Sequence, residues 1–464
     1  MNFSKLKKIH MIGVKGVGMT MLAQYLAENG VAVGGSDTDD KFMTDQVLFA
    51  AGVKVTEGFD EKNIPEDADL IIYSTAYNAE RNPEVRKALD GKIKTLTYAE
   101  AMGEVFNQKY GVAVVGSHGK TTVTAWLAFV LKMSGQRLSA MIGSRVPQFG
   151  GSSITGASDL LIIEGDEYQN KLKFFNPKAV LLNNIDFDHP DFFQNEDAYE
   201  AVFVDFVKKI PKKGFLVANF DDARVKKIAR ASLGRVVSYA LASDAVYVAY
   251  HLKHENGRQI FSVRMKADEE ASELGDFAIQ LAGRHNVYNA LAVIAAAIEL
   301  GVELVDIRKH LEDFAGTARR MEELGRYRGA AIIDDYAHHP TEIRATLAGV
   351  RQKYGPSRLI VVFHPHTFTR TKALLDDFAG SFDEADELIV LDIYGSAREE
   401  QGGVHSLDLV GKVKNGGRKK EQSVKHIATL ADCEAYLRRN LKRGDTAVLM
   451  GAGDVFKIGE SLVG

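Results

Sequence analysis

Val112-Ala113-Val114-Val115-Gly116-Ser117-His118-Gly119-Lys120-Thr121-Thr122-Val123 reads as an apolar run, a polar loop flanked by glycine, and the opening of a helical pattern. The run 112–115 is rich in β-branched residues and suits a buried strand. Beyond the loop, Val123, Trp126, Leu127, Val130 and Leu131 recur at the i, i+3, i+4, i+7, i+8 spacing of a core-facing stripe. Trp126 is therefore expected in the core and not under a ligand. A strand that enters a helix through Gly116, Ser117, His118, Gly119, Lys120, Thr121 and Thr122 has the context of a phosphate-binding loop. The glycines let backbone N–H groups point at phosphate, the helix N-terminus favours negative charge, and Lys120 supplies a full positive charge near the β and γ phosphates. Thr121 can offer its hydroxyl to magnesium. The loop is shorter than the G-x-x-x-x-G-K-[ST] form, so its strand-to-helix setting carries the reading.

Short apolar runs alternate with longer helical patterns in both directions from this loop, which predicts an α/β protein built on mainly parallel sheets flanked by helices. On the N-terminal side, strand 9–12 leads to Gly13, Gly16, Val17 and Gly18, then to a helix over 19–29 that starts at Met19 and is closed by Gly30. The glycines are spaced G-x-x-G-x-G, whereas the dinucleotide fingerprint is G-x-G-x-x-G. On the residues alone, this turn is either a nucleotide site or a tight connection without a ligand. A strand over 31–33 ends at Ser36 and Asp37, and another over 70–73 is followed by Ser74, Thr75 and Ala76.

On the C-terminal side, strand 160–163 runs into Glu164-Gly165-Asp166-Glu167, and strand 179–182 into Asn183-Asn184-Ile185-Asp186-Phe187-Asp188-His189. Ligands of open parallel sheets gather at the carboxyl ends of strands. Acids of these two runs would meet the phosphates if their strands share a sheet with 112–115. Mg2+ prefers oxygen ligands, such as Thr121 and Glu164, and the imidazole of His189 suits a second divalent ion, Mg2+ or Mn2+. Asn286, in a run that precedes an alanine-rich helix, is either a reader of the adenine edge or a helix cap. Further strands are expected over 331–333, 359–363, 388–391 and 446–450, and each ends in polar residues: Asp334, Asp335, His338 and His339, then His364, His366 and Arg370, then Asp392, then Asp454. Arg370 suits bidentate capture of a carboxylate, and Arg319 or Arg320 suits phosphate.

A length of 464 residues gives a prior of about three domains, which we place at 1–107, 108–317 and 318–464 with a hinge near 315–320. The net charge of -4 argues against a nucleic-acid binder that works by bulk charge neutralisation. One cysteine, Cys433, excludes an internal disulfide framework and a cysteine-built zinc site, and fits a cytoplasmic protein. No stretch approaches the ~20 apolar residues of a membrane span. A nicotinamide-dependent oxidoreductase would explain the N-terminal glycine turn but gives GSHGKTT no role. A nucleotide-dependent switch protein would explain the centre but leaves the polar strand ends after residue 318 unused.

The segments GSHGKTT (116–122), GRHNVYNALA (283–292), DDYAHHPTEI (334–343) and FHPHTFTRTKALLDDF (363–378) together resemble the Mur ligases of peptidoglycan synthesis, over essentially the whole chain. The resemblance implies an N-terminal UDP-sugar domain, a central ATP domain and a C-terminal amino-acid domain. The expected reaction joins an amino acid, L-alanine first, to the carboxylate of UDP-N-acetylmuramate through an acyl phosphate; the alternative amine is the alanyl-glutamyl-diamino-acid tripeptide of cell-wall recycling. It makes Gly13, Gly16, Val17, Gly18, Met19, Asp37, Ser74, Thr75 and Ala76 the UDP-sugar residues. Residues 116–122 with Asn286, Arg319, Arg320 and Asp335 become ATP contacts. His338, His339 and Arg370 become the amino-acid site, while Lys120, Glu164 and His189 take catalytic or metal roles, in a monomer or homodimer. Where the alanine-adding members usually read EADESD, this chain reads Glu164-Gly165-Asp166-Glu167-Tyr168-Gln169, and Lys15 stands where glycine is usual. Some Mur ligases hold the second metal with a carbamylated lysine; residues 199–206 contain no lysine, which leaves His189.

Overall fold

A computed structural model describes residues 3–42, 44–267, 270–395, 402–416 and 423–464. The described residues fall into two compact units. One comprises 1–185, 200–248 and 292–310, and the other 186–199, 249–291 and 311–464.

The first unit holds two sheets. Strands β1 (Lys8–Ile12), β2 (Ala32–Asp37), β3 (Lys54–Glu57), β4 (Leu70–Tyr73) and β5 (Thr95–Thr97) form an all-parallel sheet in the order β3-β2-β1-β4-β5. The order reverses direction at β1, so the carboxyl ends of β1 and β4 face the crevice where open sheets bind ligands. β2 is longer than expected and carries Ser36 and Asp37 inside the strand. The first helix spans Val17–Glu28, two residues earlier than the expected start, because Gly16 is its N-cap. Gly16 has no side chain to satisfy the first helical N–H groups, which leaves them available to an anion.

The second sheet of this unit contains β6 (Tyr110–Val115), β7 (Ser139–Val146), β8 (Gly151–Ile154), β9 (Leu160–Glu164), β10 (Ala179–Leu182), β11 (Phe215–Asn219) and β12 (Arg235–Ala240), ordered β8-β7-β9-β6-β10-β11-β12. β6 lies between β9 and β10, parallel to both, in register Val114↔Glu164 and Leu182↔Val115. The shared sheet on which the acid argument depended is present. The helix Lys120–Met133 follows β6 with Val123, Trp126, Leu127, Val130 and Leu131 all buried, as their spacing required.

β13 (Tyr247–Glu255) passes from the first unit into the second, which also holds the antiparallel pair β14 (Arg258–Ala267) and β15 (Glu270–Ile279). Its main sheet comprises β16 (Glu322–Tyr327), β17 (Ala330–Asp335), β18 (Leu359–Phe363), β19 (Glu387–Val390), β20 (Ser423–His426) and β21 (Thr446–Met450), ordered β16-β17-β21-β18-β19-β20 and parallel except at β16. Alternate residues of β18 enter two separate cores. Val361 and Phe363 pack with Ile343, Leu347 and Phe378 on one face, while Ile360 and Val362 pack with Leu437, Ile458 and Leu462 on the other. A strand buried on both faces needs an unbroken apolar run, and Leu-Ile-Val-Val-Phe supplies it. Cys433 belongs to the second core, where burial pushes its thiol up to about 12, so it is a packing residue and not a nucleophile.

Candidate functional site

In the first unit the loop 116–122, expected to bind phosphate, is built by a close chain approach. Gly116 has φ +128, and a Cβ there would lie 2.8 Å from the Asn184 carbonyl oxygen, so only glycine fits. The Asn184 side chain then clamps the loop: its Oδ1 accepts from the His118 N–H at 2.8 Å and its Nδ2 donates to the His118 carbonyl at 3.1 Å. The Ser117 N–H donates to the Asn184 carbonyl at 3.0 Å.

Lys120 opens the following helix, and its ammonium folds back over the loop. It donates to the Gly116 carbonyl at 2.6 Å, the Ser117 carbonyl at 3.1 Å and the Glu167 carboxylate at 3.0 Å. Glu167 is only 1% exposed. Burial works against charge on Lys120, but Glu167, Glu164 and Asp166 outweigh it and hold the lysine pKa above its ordinary value. The Thr121 hydroxyl donates to Glu164 Oε1 at 2.9 Å, and the Gly143 N–H donates to Glu164 Oε2 at 2.9 Å. A hydroxyl and a carboxylate converge here beside further acids, an all-oxygen donor set of the kind Mg2+ takes. Glu167 and Asn184 were visible in the quoted runs, but their partnerships were not.

The glycine turn of the same unit is held open. Asp37 accepts from the Lys15 N–H at 2.7 Å, the Thr38 N–H at 2.8 Å and the Tyr77 hydroxyl at 2.9 Å. The Lys15 ammonium is directed away from the turn, to the carbonyls of Thr38 at 2.8 Å and Asp40 at 2.9 Å. Its substitution for glycine therefore leaves Gly13, Gly16, Val17, Gly18 and Met19 unobstructed by that side chain. At the end of β4, the Ala76 N–H donates to Ser74 Oγ at 3.3 Å and the Thr75 hydroxyl donates to Gln169 Oε1 at 3.4 Å. Sequence reasoning missed Tyr98, whose ring fills the space that a side chain at Gly18 would need, 2.8 Å from the position of its Cβ. No local pattern marked it.

In the second unit, Arg370 has already captured a carboxylate, and it is the chain's own. Asp188 Oδ1 accepts from Arg370 Nε at 3.0 Å and Nη2 at 2.9 Å, with the two side chains 9% and 7% exposed. The same oxygen accepts from the His189 N–H at 2.7 Å, and His189 adopts a left-handed backbone, φ 58. Burial alone would raise the Asp188 pKa, but the Arg370 guanidinium in contact with it overcomes this and holds the carboxyl far below its ordinary range. His366 Nδ1 lies 3.3 Å from Arg370 Nη1. Burial pushes His338 down to about 3, so its imidazole is neutral, and its Nδ1 lies 3.0 Å from the Tyr336 carbonyl. His339 is the N-cap of the helix Pro340–Tyr354, in a capping box with Glu342, and its Nδ1 lies 3.4 Å from Asp186.

Three expectations change here. Asn286 is not a cap: the helix runs Arg284–Glu299, and Asn286 Nδ2 donates back to the Ala282 carbonyl at 2.7 Å while its Oδ1 accepts from Asn289 at 3.0 Å. Arg319 and Arg320 are not equivalent. The Arg319 guanidinium is locked inside, to Asp334 at 3.1 Å and the carbonyls of Gly451 at 2.7 Å and Gly453 at 3.0 Å, between the rings of Tyr336 and Phe456. Arg320 is 30% exposed, 3.9 Å from Glu342. Asp335 accepts from the N–H groups of Met321 and Ala337, both at 2.8 Å, so its carboxylate braces the backbone beside Arg320. Strand 388–391 is observed one residue earlier, as β19.

Residues 8–110 match the Mur ligase family, catalytic domain model; 114–297 match the Mur ligase middle domain; and 319–453 match the Mur ligase, glutamate ligase domain. The UDP-N-acetylmuramate--L-alanine ligase of Desulfitobacterium hafniense is 37% identical over 98% of this chain and 99% of its own length. The UDP-N-acetylmuramate-alanine ligase of Thermotoga maritima shares the fold, with a TM-score of 0.82, 24% identity and 98% of both chains covered. A murein peptide ligase of Psychrobacter arcticus gives a TM-score of 0.73 at 26% identity, again over 98% of each chain. With three domain models in sequence and a full-length relative above 30% identity, this chain belongs to the Mur ligase family.

Proposed function

We propose that the chain is an ATP-dependent ligase that joins L-alanine to the lactyl carboxylate of UDP-N-acetylmuramate in peptidoglycan precursor synthesis. The observation that carries this reading is the Lys120 ammonium at the head of the phosphate loop, with Thr121 and Glu164 in contact beside it. ATP dependence is typical of the family. We assign UDP-sugar binding to 1–107, ATP binding to 108–317 and amino-acid binding to 318–464, and a cytoplasmic location where ATP is available. No helix among the described residues is long and apolar enough to cross a membrane.

In the proposed sequence the muramate carboxylate oxygen attacks the γ-phosphorus of ATP, ADP leaves, and an acyl phosphate forms. The neutral amine nitrogen then attacks the acyl carbon, the bond from that carbon to the phosphate oxygen breaks to release inorganic phosphate, and the nitrogen gives up one proton as the amide forms. Lys120 stabilises the charge on the transferring phosphoryl group, and the backbone N–H groups of 116–119 orient the phosphates. Mg2+ held by Thr121 and Glu164 would neutralise phosphate charge, and His189 is the candidate ligand for a second ion, Mg2+ or Mn2+. Asn286 and Arg320 are the proposed adenine and phosphate contacts, and His338 and Arg370 line the amino-acid side.

The EGDEYQ run and the likeness to a murein peptide ligase favour one second reading, attachment of the alanyl-glutamyl-diamino-acid tripeptide. Phosphate release with UDP-N-acetylmuramate and ATP separates the two, with L-alanine, L-serine, glycine and the tripeptide compared as amines. Turnover highest with L-alanine is expected. Turnover with the tripeptide alone selects the second reading, and ATP hydrolysis indifferent to muramate and amine defeats both.

A further inference from the structure

Beyond its uridine, the proposed sugar nucleotide has a diphosphate, an N-acylated hexose and a carboxylate. If the diphosphate sits on the turn at Gly16–Gly18 and the carboxylate beside Lys120 and Glu164, the side chains between those points face the hexose. Tyr98 and Gln169 each link one of those points to the other within the first unit. Tyr98 touches the turn at Gly18, and its phenol feels the carboxylates of Asp166 and Glu164. Burial, then those charges, raise its pKa, so the hydroxyl stays protonated and can donate a hydrogen bond. Gln169 reaches Thr75, at the carboxyl end of β4, from the stretch that follows Glu164.

The backbone at Gln169 is unusual. Gln169 and Asn170 are consecutive left-handed residues, φ 57 and 54, where glycine would be unstrained. The turn is held by the Tyr168 N–H to Asp166 at 3.0 Å, the Asn170 N–H to the Glu167 carbonyl at 2.9 Å, and the Lys171–Asp166 ion pair. A long polar side chain kept in a costly conformation, with its amide delivered to Thr75 beyond β4, the strand beside β1, is the pattern of strain retained for binding. It falls in the run where this chain departs from EADESD.

Resting on the function proposed above, we infer that Tyr98 and Gln169 are the specificity-determining residues for the hexose of the sugar nucleotide. Tyr98 donates to a ring or acyl oxygen, and the Gln169 amide serves the N-acyl group.

The test is calorimetric binding of UDP-N-acetylmuramate without ATP, to wild type, Tyr98→Phe, Gln169→Ala and Gln169→Gly, with thermal unfolding and KM for ATP measured in parallel. Each variant should weaken sugar-nucleotide binding about three- to tenfold, the worth of one neutral hydrogen bond. KM for ATP should stay within about twofold, and Gln169→Gly should match or exceed wild type in Tm because glycine takes φ 57 without strain. Variants that bind like wild type, or a Gln169→Gly that loses Tm with unchanged affinity, overturn the inference alone. Wild type that binds no UDP-N-acetylmuramate overturns the functional reading and this inference with it.

Discussion

Asp188→Asn removes one negative charge from a pair in which both side chains are more than nine-tenths buried, while keeping nearly the same shape. Breaking a buried pair by removing one partner costs about 3–5 kcal/mol, because the other charge stays buried. The asparagine carbonyl can still accept from the His189 N–H or from Arg370, which returns about 1 kcal/mol. The expected loss is therefore about 2–4 kcal/mol at pH 7, a fall in Tm of roughly 4–10 °C for the transition that includes Arg370. The pH dependence follows from the sign of the shift. The folded pKa of Asp188 is depressed, so the stability it confers is fully present above the unfolded value near 4 and is lost as pH falls through it towards the folded value. The gap between wild type and variant should be flat from about pH 8 to 5 and narrow below about pH 4. Thermal unfolding of the two proteins across that range measures it. A Tm difference under about 1 °C at pH 7, or a gap that already closes between pH 7 and 5, would refute the buried-pair argument.

Lys120→Ala should lower ATP-dependent ligation by about 10²-fold or more while circular dichroism reports a retained fold, and near-normal turnover would remove the phosphate-loop assignment. Arg319 and Arg320 should separate cleanly. Arg319→Ala removes the cation beside Asp334, a carboxyl that burial already raises to about 7 and that can take up a proton instead, together with two bonds to carbonyls, and should cost about 2–3 kcal/mol of stability, whereas Arg320→Ala should keep its Tm and raise KM for ATP about tenfold. Thermal unfolding beside ATP kinetics checks both, and the reverse pattern would mean that the two roles are exchanged.

Local sequence was sufficient wherever a single periodicity dominated. β4, β10, β18 and β21 begin and end where their apolar runs do, since a strand covered on both faces needs continuous hydrophobicity and its flanking polar residues stop it. The stripe that buries Trp126 was equally direct. Boundaries moved where glycine or polar residues continue an element: β2 runs through Gly34, Gly35 and Ser36 to Asp37, and the first helix begins beside an uncapped Gly16. Asn286 allowed two readings, an adenine contact or a helix cap, and only the start of the helix at Arg284 removes the cap.

The sequence by itself determined the α/β class, the strand–loop–helix that carries Lys120 and Thr121, and the acids that follow β9 and β10, because each is encoded in a short run of neighbouring residues. Tertiary structure alone decided which partner each charge meets. Lys120 meets Glu167 across 47 positions and Arg370 meets Asp188 across 182. Arg319, beside an indistinguishable Arg320, is bound to carbonyls more than 130 residues away. A charge reaches its partner only when sheets bring distant strand ends together, and desolvation then fixes whether it is available to a substrate; neither quantity is a property of local sequence.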